Sequence, residues 1–263
     1  MEKSEIVGKL IGYLLDAQPE YKEQAGQFPK DDENQRYLLR CLMNTWYPYK
    51  PLPSAFFELQ DQLLKEEAEE KHPVSADELQ ESGKPHLYLW QGDITRLKVD
   101  AIVNAANSQM LGCFVPGHSC IDNAIHSAAG LELRVACYRL MQVQGHEEET
   151  GKAKITGGYN LPAKHVIHTV GPIVQWHVTK EDRNLLASCY RSCLELAEEN
   201  KLHSIAFCCI STGVFHYPHE DAAETAVRTV QQYLGEHPDT TIEKVIFNVF
   251  KEEDKAIYER LLG

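Results

Sequence analysis

The stretch from Gly92 to Gly130 constrains the fold of this chain more than any other part of it. An apolar strand comes first and ends in two asparagines, Asn104 and Asn107. A loop with two cysteines and a histidine follows, and then a helix that starts near Asp122. In an open α/β sheet, a buried strand and the N-terminus of the next helix meet at the opening where ligands bind. The stretch therefore predicts an α/β fold with a ligand site at this point.

From His86 onward, strand patterns and helix patterns alternate, which is typical of a layered α/β sheet. The predicted strands are 86–90, 99–104, 153–159, 164–169, 204–209 and 243–249. The predicted helices are about 120–129, 131–143, 181–200, 218–235 and 252–261. We expect residues 86–263 to form the main domain.

Residues 1–85, which we call the N-terminal extension, are predicted to be helical. Apolar residues recur there at helical spacing in two sets: Ile6, Leu10 and Leu14, and Leu38, Leu42 and Trp46. After two prolines, Ser54 is placed to cap a third helix. The extension contains no cluster of catalytic residue types, so we expect an appendage that packs on the main domain.

Charge and cysteine usage exclude several classes of function. The net charge of −13 counts against a general nucleic-acid-binding surface, which needs a basic footprint. No apolar run is long enough to cross a bilayer, and the first residues do not resemble a signal peptide, so we expect a cytoplasmic protein without a membrane partner. In that compartment the 8 cysteines are expected to be reduced thiols or metal ligands.

The loop in the central stretch has the spacing Cys113-x4-His118-x-Cys120. Thiolates and imidazole favour zinc, and three protein ligands leave the open fourth position of a catalytic zinc site. The other cysteines fall in predicted core elements, so no fourth ligand is evident. The alternative is two ordinary thiols and a loop histidine.

Two polar residues flank this loop. The amide of Asn107 offers donors and an acceptor for sugar hydroxyls without adding charge, although a turn alone would also explain it. Asp122 stands two residues after Cys120 in a helix first turn, where a carboxylate is favourable as a cap or can face the same opening.

Two further segments follow strands. Gly92-Asp93-Ile94-Thr95 places a short carboxylate at a strand end, where it can accept a hydrogen bond from an amino group, or simply form a turn. The segment from Ser211 to Gly213 enters a helix and presents backbone amides to an anion. Phe215 is placed to stack on a sugar or to pack over the site.

Together these segments resemble the signature of macrodomains, the ADP-ribose-binding fold. The Cys-His-Cys insertion resembles that of the zinc-containing microbial branch that removes ADP-ribose from proteins, which carries a similar N-terminal extension. The resemblance covers nearly the whole chain and implies a three-layer α/β/α macrodomain with a mixed central sheet. Other branches often have glycine in place of Cys120 or Asn123, so the mechanism of the common branch transfers only in part.

The resemblance also implies residue roles. Asp93 and Ile94 would recognise adenine, Asn107 would lie beside the distal ribose, and the loop that contains Ser211 to Phe215 would wrap the pyrophosphate and ribose. The implied ADP-ribose contacts are Asp93, Ile94, Asn107, Cys120, Ile121, Asp122, Ser211, Thr212, Gly213, Val214 and Phe215. The implied catalytic residues are Asp122 and Asn107, and the implied zinc ligands are Cys113, His118 and Cys120.

The function implied by the resemblance is zinc-dependent hydrolysis of the bond between mono-ADP-ribose and a protein side chain. A sirtuin-type ADP-ribosyltransferase would be the functional partner, and the modified protein can be a lipoyl-carrier protein in such systems. Two alternatives remain open: a reader module that binds ADP-ribose without cleaving it, and a hydrolase of free derivatives such as O-acetyl-ADP-ribose. The N-terminal extension would be an appendage or would help to recognise the modified protein.

Overall fold

The structure is a computed structural model and describes every residue from Met1 to Gly263. The strands are β1 (Val74–Ser75), β2 (Leu87–Gln91), β3 (Leu97–Lys98), β4 (Ala101–Ala106), β5 (Ala153–Gly157), β6 (His165–Val170), β7 (Ser204–Phe207) and β8 (Lys244–Val249). The helices are α1 (Lys3–Ala17), α2 (Lys22–Gly26), α3 (Asp32–Thr45), α4 (Ser54–Glu70), α5 (Ile121–Ala129), α6 (Leu131–Gln144), α7 (Lys180–Glu199), α8 (His219–Glu236) and α9 (Glu252–Leu262). None of these helices combines the length and the apolar character that crossing a bilayer requires.

Six strands form one central sheet in the order β2-β8-β7-β4-β6-β5. All neighbours are parallel except β5, which runs antiparallel to β6, so the sheet is mixed. Strands β6 and β8 are buried along almost their whole length, as expected for strands covered by helices on both faces. Helix α8 packs on α7 and on α9, while α5 contacts β4 and α6 contacts β5. The predicted α/β fold with a mixed, helix-flanked sheet is confirmed.

The central strand β4 differs from its prediction at both ends. It covers Ala101–Ala106 instead of 99–104, so Asn104 lies inside the strand and Asn107 directly after it. Asparagine is a poor strand residue, but the Asn104 side chain finds buried partners on α5 and β6. Those hydrogen bonds offset the cost of placing an amide in a strand interior.

The helices of the N-terminal extension have an apolar cluster of 15 buried residues, and Leu131 of α6 belongs to it. Helix α1 packs on α3 and α4, which brings the two sets of periodic apolar residues together. Asp31 caps α3 by accepting a hydrogen bond from the backbone N–H of Asn34. The three predicted N-terminal helices are therefore present and share one core. The predicted cap at Ser54 is wrong, because Ser54 is the first residue of α4 and Pro53 occupies the cap position without a side-chain hydrogen bond.

A buried arginine joins this core to the main sheet layers. Arg134 on α6 is only 2% exposed, and its Nη1 donates to the carbonyls of Met43, Asn44 and Trp46 at 2.7–2.9 Å. These carbonyls lie at the C-terminal end of α3, where helix carbonyls lack intrahelical partners and the dipole favours a cation. Burial lowers the pKa of Arg134 to about 10, which still leaves it charged at neutral pH.

Both ring nitrogens of the buried imidazole of His168 on β6 have hydrogen-bond partners. Its Nδ1 lies 3.2 Å from Asn104 Nδ2, and its Nε2 lies 3.0 Å from Thr156 Oγ1. An amide nitrogen can only donate, so Nδ1 is the acceptor and Nε2 carries the proton. Burial lowers the pKa of His168 from 6.5 to about 3, and the folded protein therefore holds this residue neutral.

We expect this histidine to make stability depend on pH. Between pH 6.5 and about pH 3 the unfolded chain binds a proton at His168 that the folded protein does not bind. The free energy of unfolding should therefore fall as pH falls through this window, by up to about 1.4 kcal/mol per pH unit, with no effect above it. Urea unfolding of the parent and of His168→Gln across the window measures this contribution. The variant should show the shallower fall, and parallel curves would contradict the neutral assignment.

Candidate active site

Four segments meet at one edge of the central sheet. Asp93 follows β2, Asn107 follows β4, and the loop 208–217 follows β7. These strands run parallel within the sheet, so their C-terminal ends lie at the same edge. The N-terminus of α5, with Asp122 in its first turn, follows the loop that leaves β4. The structure thus brings together the segments that the sequence singled out.

Asp122 is the most buried carboxylate at this edge, with 5% of its surface exposed. Its Oδ1 accepts a hydrogen bond of 2.8 Å from Asn104, and its Oδ2 accepts one of 3.4 Å from Asn107. Burial raises the pKa of Asp122 to about 6, although the Asn104 bond and the charge of Arg134 oppose the rise. Side-chain amides, and not the backbone N–H groups of the helix, bind this carboxylate. Asp122 therefore does not act as a helix cap.

Asn107 links the end of β4 to the loop that follows. Its Nδ2 donates to the carbonyl of Gly112 at 3.2 Å as well as to Asp122, and its Oδ1 accepts from the backbone N–H of Gln109 at 3.0 Å. The bond from Gln109 closes a local turn of the kind that asparagine favours. The half-buried amide is therefore fixed with its nitrogen towards the carboxylate.

The segment 113–120, which we call the metal loop, brings three possible ligands together. The donor atoms of Cys113, His118 and Cys120 all lie within 4.8 Å of one another, and Cys113 Sγ is 3.7 Å from His118 Nδ1. Zinc–sulfur and zinc–nitrogen bonds at a tetrahedral angle give a ligand–ligand distance of about 3.6 Å. No fourth histidine, cysteine or carboxylate joins the group. The donor set and its spacing fit a zinc ion with one open position.

Cys120 has a second structural role, because it caps α5. Its Sγ lies 3.4 Å from the backbone N–H of Asn123 and accepts from it. A helix N-terminus favours a negative charge, which suits a thiolate that binds a cation. The metal loop is therefore anchored to the helix that carries Asp122.

A second group of possible ligands lies deeper, where His126, Cys137 and His168 come within 4.8 Å of one another. Both nitrogens of His168 are already bonded, and the nearby charge of Arg134 opposes a further cation. His126 lies with Nε2 3.5 Å from Asp122 Oδ1, yet neither of its ring nitrogens makes a hydrogen bond. Burial lowers the pKa of His126 well below its usual value, so the ring is neutral. This group is therefore a packed cluster.

At the other end of the edge, Asp93 lies half-exposed after β2. Its Oδ1 accepts from the N–H and the Oγ1 of Thr95 at 3.0 and 2.7 Å, and its Oδ2 lies 3.3 Å from Lys71 Nζ. Burial raises the pKa of Asp93, but these bonds and the lysine charge lower it more, so the carboxylate is ionised at neutral pH. The side chain of Ile94 is 1% exposed and belongs to the core, which leaves only its backbone for a ligand.

The loop 211–215 is held in shape by backbone hydrogen bonds. The carbonyls of Ser211, Gly213 and Phe215 accept hydrogen bonds of 2.9–3.0 Å from the backbone N–H groups of Tyr217, His216 and Val174, respectively. Gly213 is exposed, and a Cβ placed on it would meet no atom within 4 Å. Val214 is 62% exposed, while Phe215 is half-buried. Of the five loop positions, only Ser211 is buried, and its Oγ has no hydrogen-bond partner.

Sequence reasoning missed three polar residues around the site: Arg40 and Asn44 on α3, which contact the metal loop region, and Arg134 on α6. Helical spacing carried a signal for Arg134, which is three residues from both Leu131 and Cys137 and so lies on the buried face. Arg40 and Asn44 are one turn apart on α3, which suggests a shared face but not what that face contacts.

Comparison with known proteins agrees with this arrangement. The Macro domain family model matches residues 103–226. A Treponema medium protein named protein-ADP-ribose hydrolase is 50% identical over 258 residues, covering 97% of this chain and 97% of the relative. A Staphylococcus aureus (strain MSSA476) protein of the same name is 48% identical over 232 residues, covering 88% of this chain and 86% of the relative. The structure of a Trypanosoma brucei macrodomain in complex with ADP-ribose gives a TM-score of 0.63 at 34% identity, covering 85% of this chain and 94% of that one. The chain therefore belongs to the macrodomain family.

Proposed function

We propose that this protein is a zinc-dependent hydrolase that removes mono-ADP-ribose from protein side chains. The observation that carries the proposal is the direct connection between the metal loop and a buried carboxylate. Cys120 caps the helix on which Asp122 is held by Asn104 and Asn107. Relatives that span nearly the whole chain and are named protein-ADP-ribose hydrolases support the reaction.

The reaction is attack of water at the anomeric carbon of the distal ribose. The bond from that carbon to the acceptor side chain breaks, and its electron pair leaves with the acceptor. One proton of the attacking water passes to a base, and the hydroxyl stays on the anomeric carbon. Such reactions pass through an oxocarbenium-like state, although the carboxylate pair of common glycosidases is not evident here. Asp122 is placed to orient the water or to accept its proton.

The other residues bind and orient. Asn107 offers the remaining lone pair of its amide oxygen to a hydroxyl of the distal ribose, while its nitrogen stays bonded to Gly112 and Asp122. The loop 211–215 presents backbone to the pyrophosphate, and Asp93 accepts from the adenine amino group. Cys113, His118 and Cys120 would hold zinc, which supplies a Lewis acid when bound. Ile121, next to Cys120, would line the ribose end of the same site.

We further propose that the modified protein is made by a sirtuin-type ADP-ribosyltransferase and can be a lipoyl-carrier protein. The eight cysteines, which form no disulfide, suit the reducing conditions of a cytoplasmic location.

A pure reader module or a hydrolase of O-acetyl-ADP-ribose would use the same binding site. Release of ADP-ribose from a defined modified protein, compared with cleavage of free derivatives, separates the three.

The metal content of the purified protein tests the proposed zinc site. Purified protein should contain about one zinc per chain, because the three ligands form a single site. Cys113→Ala should lose the metal, whereas Cys41→Ala, which alters a half-buried thiol on α3, should retain it. Elemental analysis of protein never exposed to chelator measures both. A parent protein without transition metal would contradict the zinc assignment.

A substitution in the loop 211–215 tests its proposed contact with the pyrophosphate. Gly213→Val should leave the fold intact, because the added side chain meets open space, yet it should fill the room that the pyrophosphate needs. Calorimetry with ADP-ribose should show a large loss of affinity for this variant. The matched control is Gly235→Val, since Gly235 near the end of α8 also has open space around it. Equal affinities in both variants would remove the loop from the binding site.

A substitution of Asp122 separates a catalytic role from a purely structural role at the start of α5. Asp122→Ala should slow single-turnover release of ADP-ribose by about 100-fold or more, as expected for loss of a general base. ADP-ribose itself should still bind, because adenine and pyrophosphate contacts lie elsewhere. Glu253→Ala removes an exposed acid at the same position of α9 and should leave turnover unchanged.

A cap alone would be worth about 1 kcal/mol of stability, and loss of Asn104's acceptor would add to it. Cys120→Ala should also abolish turnover, but with loss of the metal, which Asp122→Ala should retain. An Asp122→Ala protein that melts early yet turns over at the parent rate would show that Asp122 is only structural.

A further inference from the structure

The metal loop has no regular secondary structure, so other contacts must fix its shape. Within the loop the backbone N–H of His118 donates to the Val115 carbonyl at 3.2 Å. Asn123 of α5 also donates to the Val115 carbonyl, from Nδ2 at 3.1 Å. These bonds alone hold only the middle of the loop and one end. Further contacts come from the N-terminal extension.

Arg40 of α3 contacts the loop at a proposed ligand residue. Its Nη2 donates to the backbone carbonyl of His118 at 3.0 Å and to Asn123 Oδ1 at 2.8 Å. The second bond fixes the orientation of the Asn123 amide, so that the amide nitrogen faces Val115. One guanidinium therefore supports the loop directly and through Asn123.

Asn44, one turn further along α3, holds the loop at its tightest point. Its Oδ1 accepts from the backbone N–H of Gly117 at 3.0 Å, and its Nδ2 donates to Ser127 Oγ on α5 at 3.1 Å. Gly117 has a φ of +64°, and a Cβ there would collide with Tyr37 Oη, so the loop passes close to α3. The residue before His118 is thus tied to the extension and to the helix that follows the loop.

Helix α3 is a rigid support for these contacts. Its apolar face is buried in the core of the extension, and Arg134 binds the three carbonyls at its C-terminal end. The guanidinium of Arg134 also lies 4.5 Å above the ring of Phe114 in the metal loop. Groups held on a packed helix position a site better than groups on another loop.

Arg36 and Arg40 occupy the same face of α3 but differ in what they bind. Arg36 makes a two-pronged ion pair with Glu67 of α4, at 2.6 and 2.7 Å, inside the extension. Arg40 makes no ion pair, and its donors reach only the His118 carbonyl and the Asn123 amide. The charge-assisted bonds of Arg40 are therefore directed at the metal loop, although an acidic partner would be the usual choice.

We propose that Arg40 and Asn44 are positioning residues of the metal centre, and that the N-terminal extension is thereby part of that centre. The proposal rests on the proposed function, because it assumes that the metal loop binds zinc. Groups that orient metal ligands without touching the metal typically change metal affinity by about 10- to 100-fold when removed. The extension would then act on metal retention and on turnover, while the residues assigned to adenine and pyrophosphate, Asp93 and the loop 211–215, belong to the main domain.

The experiment compares Arg40→Ala and Asn44→Ala with Arg36→Ala, a matched control on the same helix. Zinc affinity is measured by competition with a chromophoric chelator, and ADP-ribose affinity by calorimetry. We expect zinc affinity to fall by about 10- to 100-fold in the first two variants and to stay at the parent value in Arg36→Ala. ADP-ribose affinity should change little in all three.

Melting curves without metal and with zinc separate positioning from loss of fold. The rise in melting temperature on adding zinc should be smaller for Arg40→Ala than for Arg36→Ala, whatever their metal-free stabilities. Arg40→Lys keeps the charge but not the fork and should give an intermediate zinc affinity; together with Asn44→Ala it carries the test if Arg40→Ala does not fold. Parent-like zinc affinity in Arg40 and Asn44 variants, or equal losses in Arg36→Ala, would overturn the inference. A parent that binds no zinc would instead overturn the metal site of the proposed function, and this inference with it.

Discussion

The hydrogen bond from the Asn104 amide to Asp122 is the interaction on which the rest of the site depends. It joins the central strand to the first turn of α5, and both partners are buried, so breaking it would leave a carboxylate without its closest donor. The second hydrogen of the same amide is taken by His168, which must stay neutral to accept it. Strand, helix and neighbouring strand are therefore held in one polar network in an otherwise apolar core.

The position of the metal loop follows from this network and from a second, independent support. Cys120 caps the helix that Asn104 fixes, which sets one end of the loop. The extension holds the middle through α3, whose C-terminal carbonyls bind the buried Arg134. A buried cation is costly unless its donors are paired; here three carbonyls accept from Nη1 and the guanidinium lies over an aromatic ring, while Nε has no hydrogen-bond partner. Removing the extension would therefore leave Arg134 unsatisfied as well as the loop unsupported.

Much of the fold could be predicted because hydrophobic periodicity and strand–helix alternation are local signals. All six strands of the sheet and all three long N-terminal helices were found this way, with strand ends displaced where a buried partner outweighed propensity, as at Asn104. The segments of the site could also be named from local chemistry. The contacts of Arg40 and Asn44 could not, because each spans more than seventy residues of sequence and no pattern along the chain records which loop a helix face will meet.

An acidic protein needs local donors to bind an anionic ligand. With a net charge of −13, the overall field does not attract a nucleotide. Three cations near the site are each engaged: Lys71 with Asp93, Arg40 with the His118 carbonyl, and Arg134 with the end of α3. Recognition must then come from backbone amides and neutral side chains, whose donors point in fixed directions and are strong only for a ligand of matching shape. Such a site should favour a ligand that reaches from Asp93 to Asp122 over a smaller anion of equal charge.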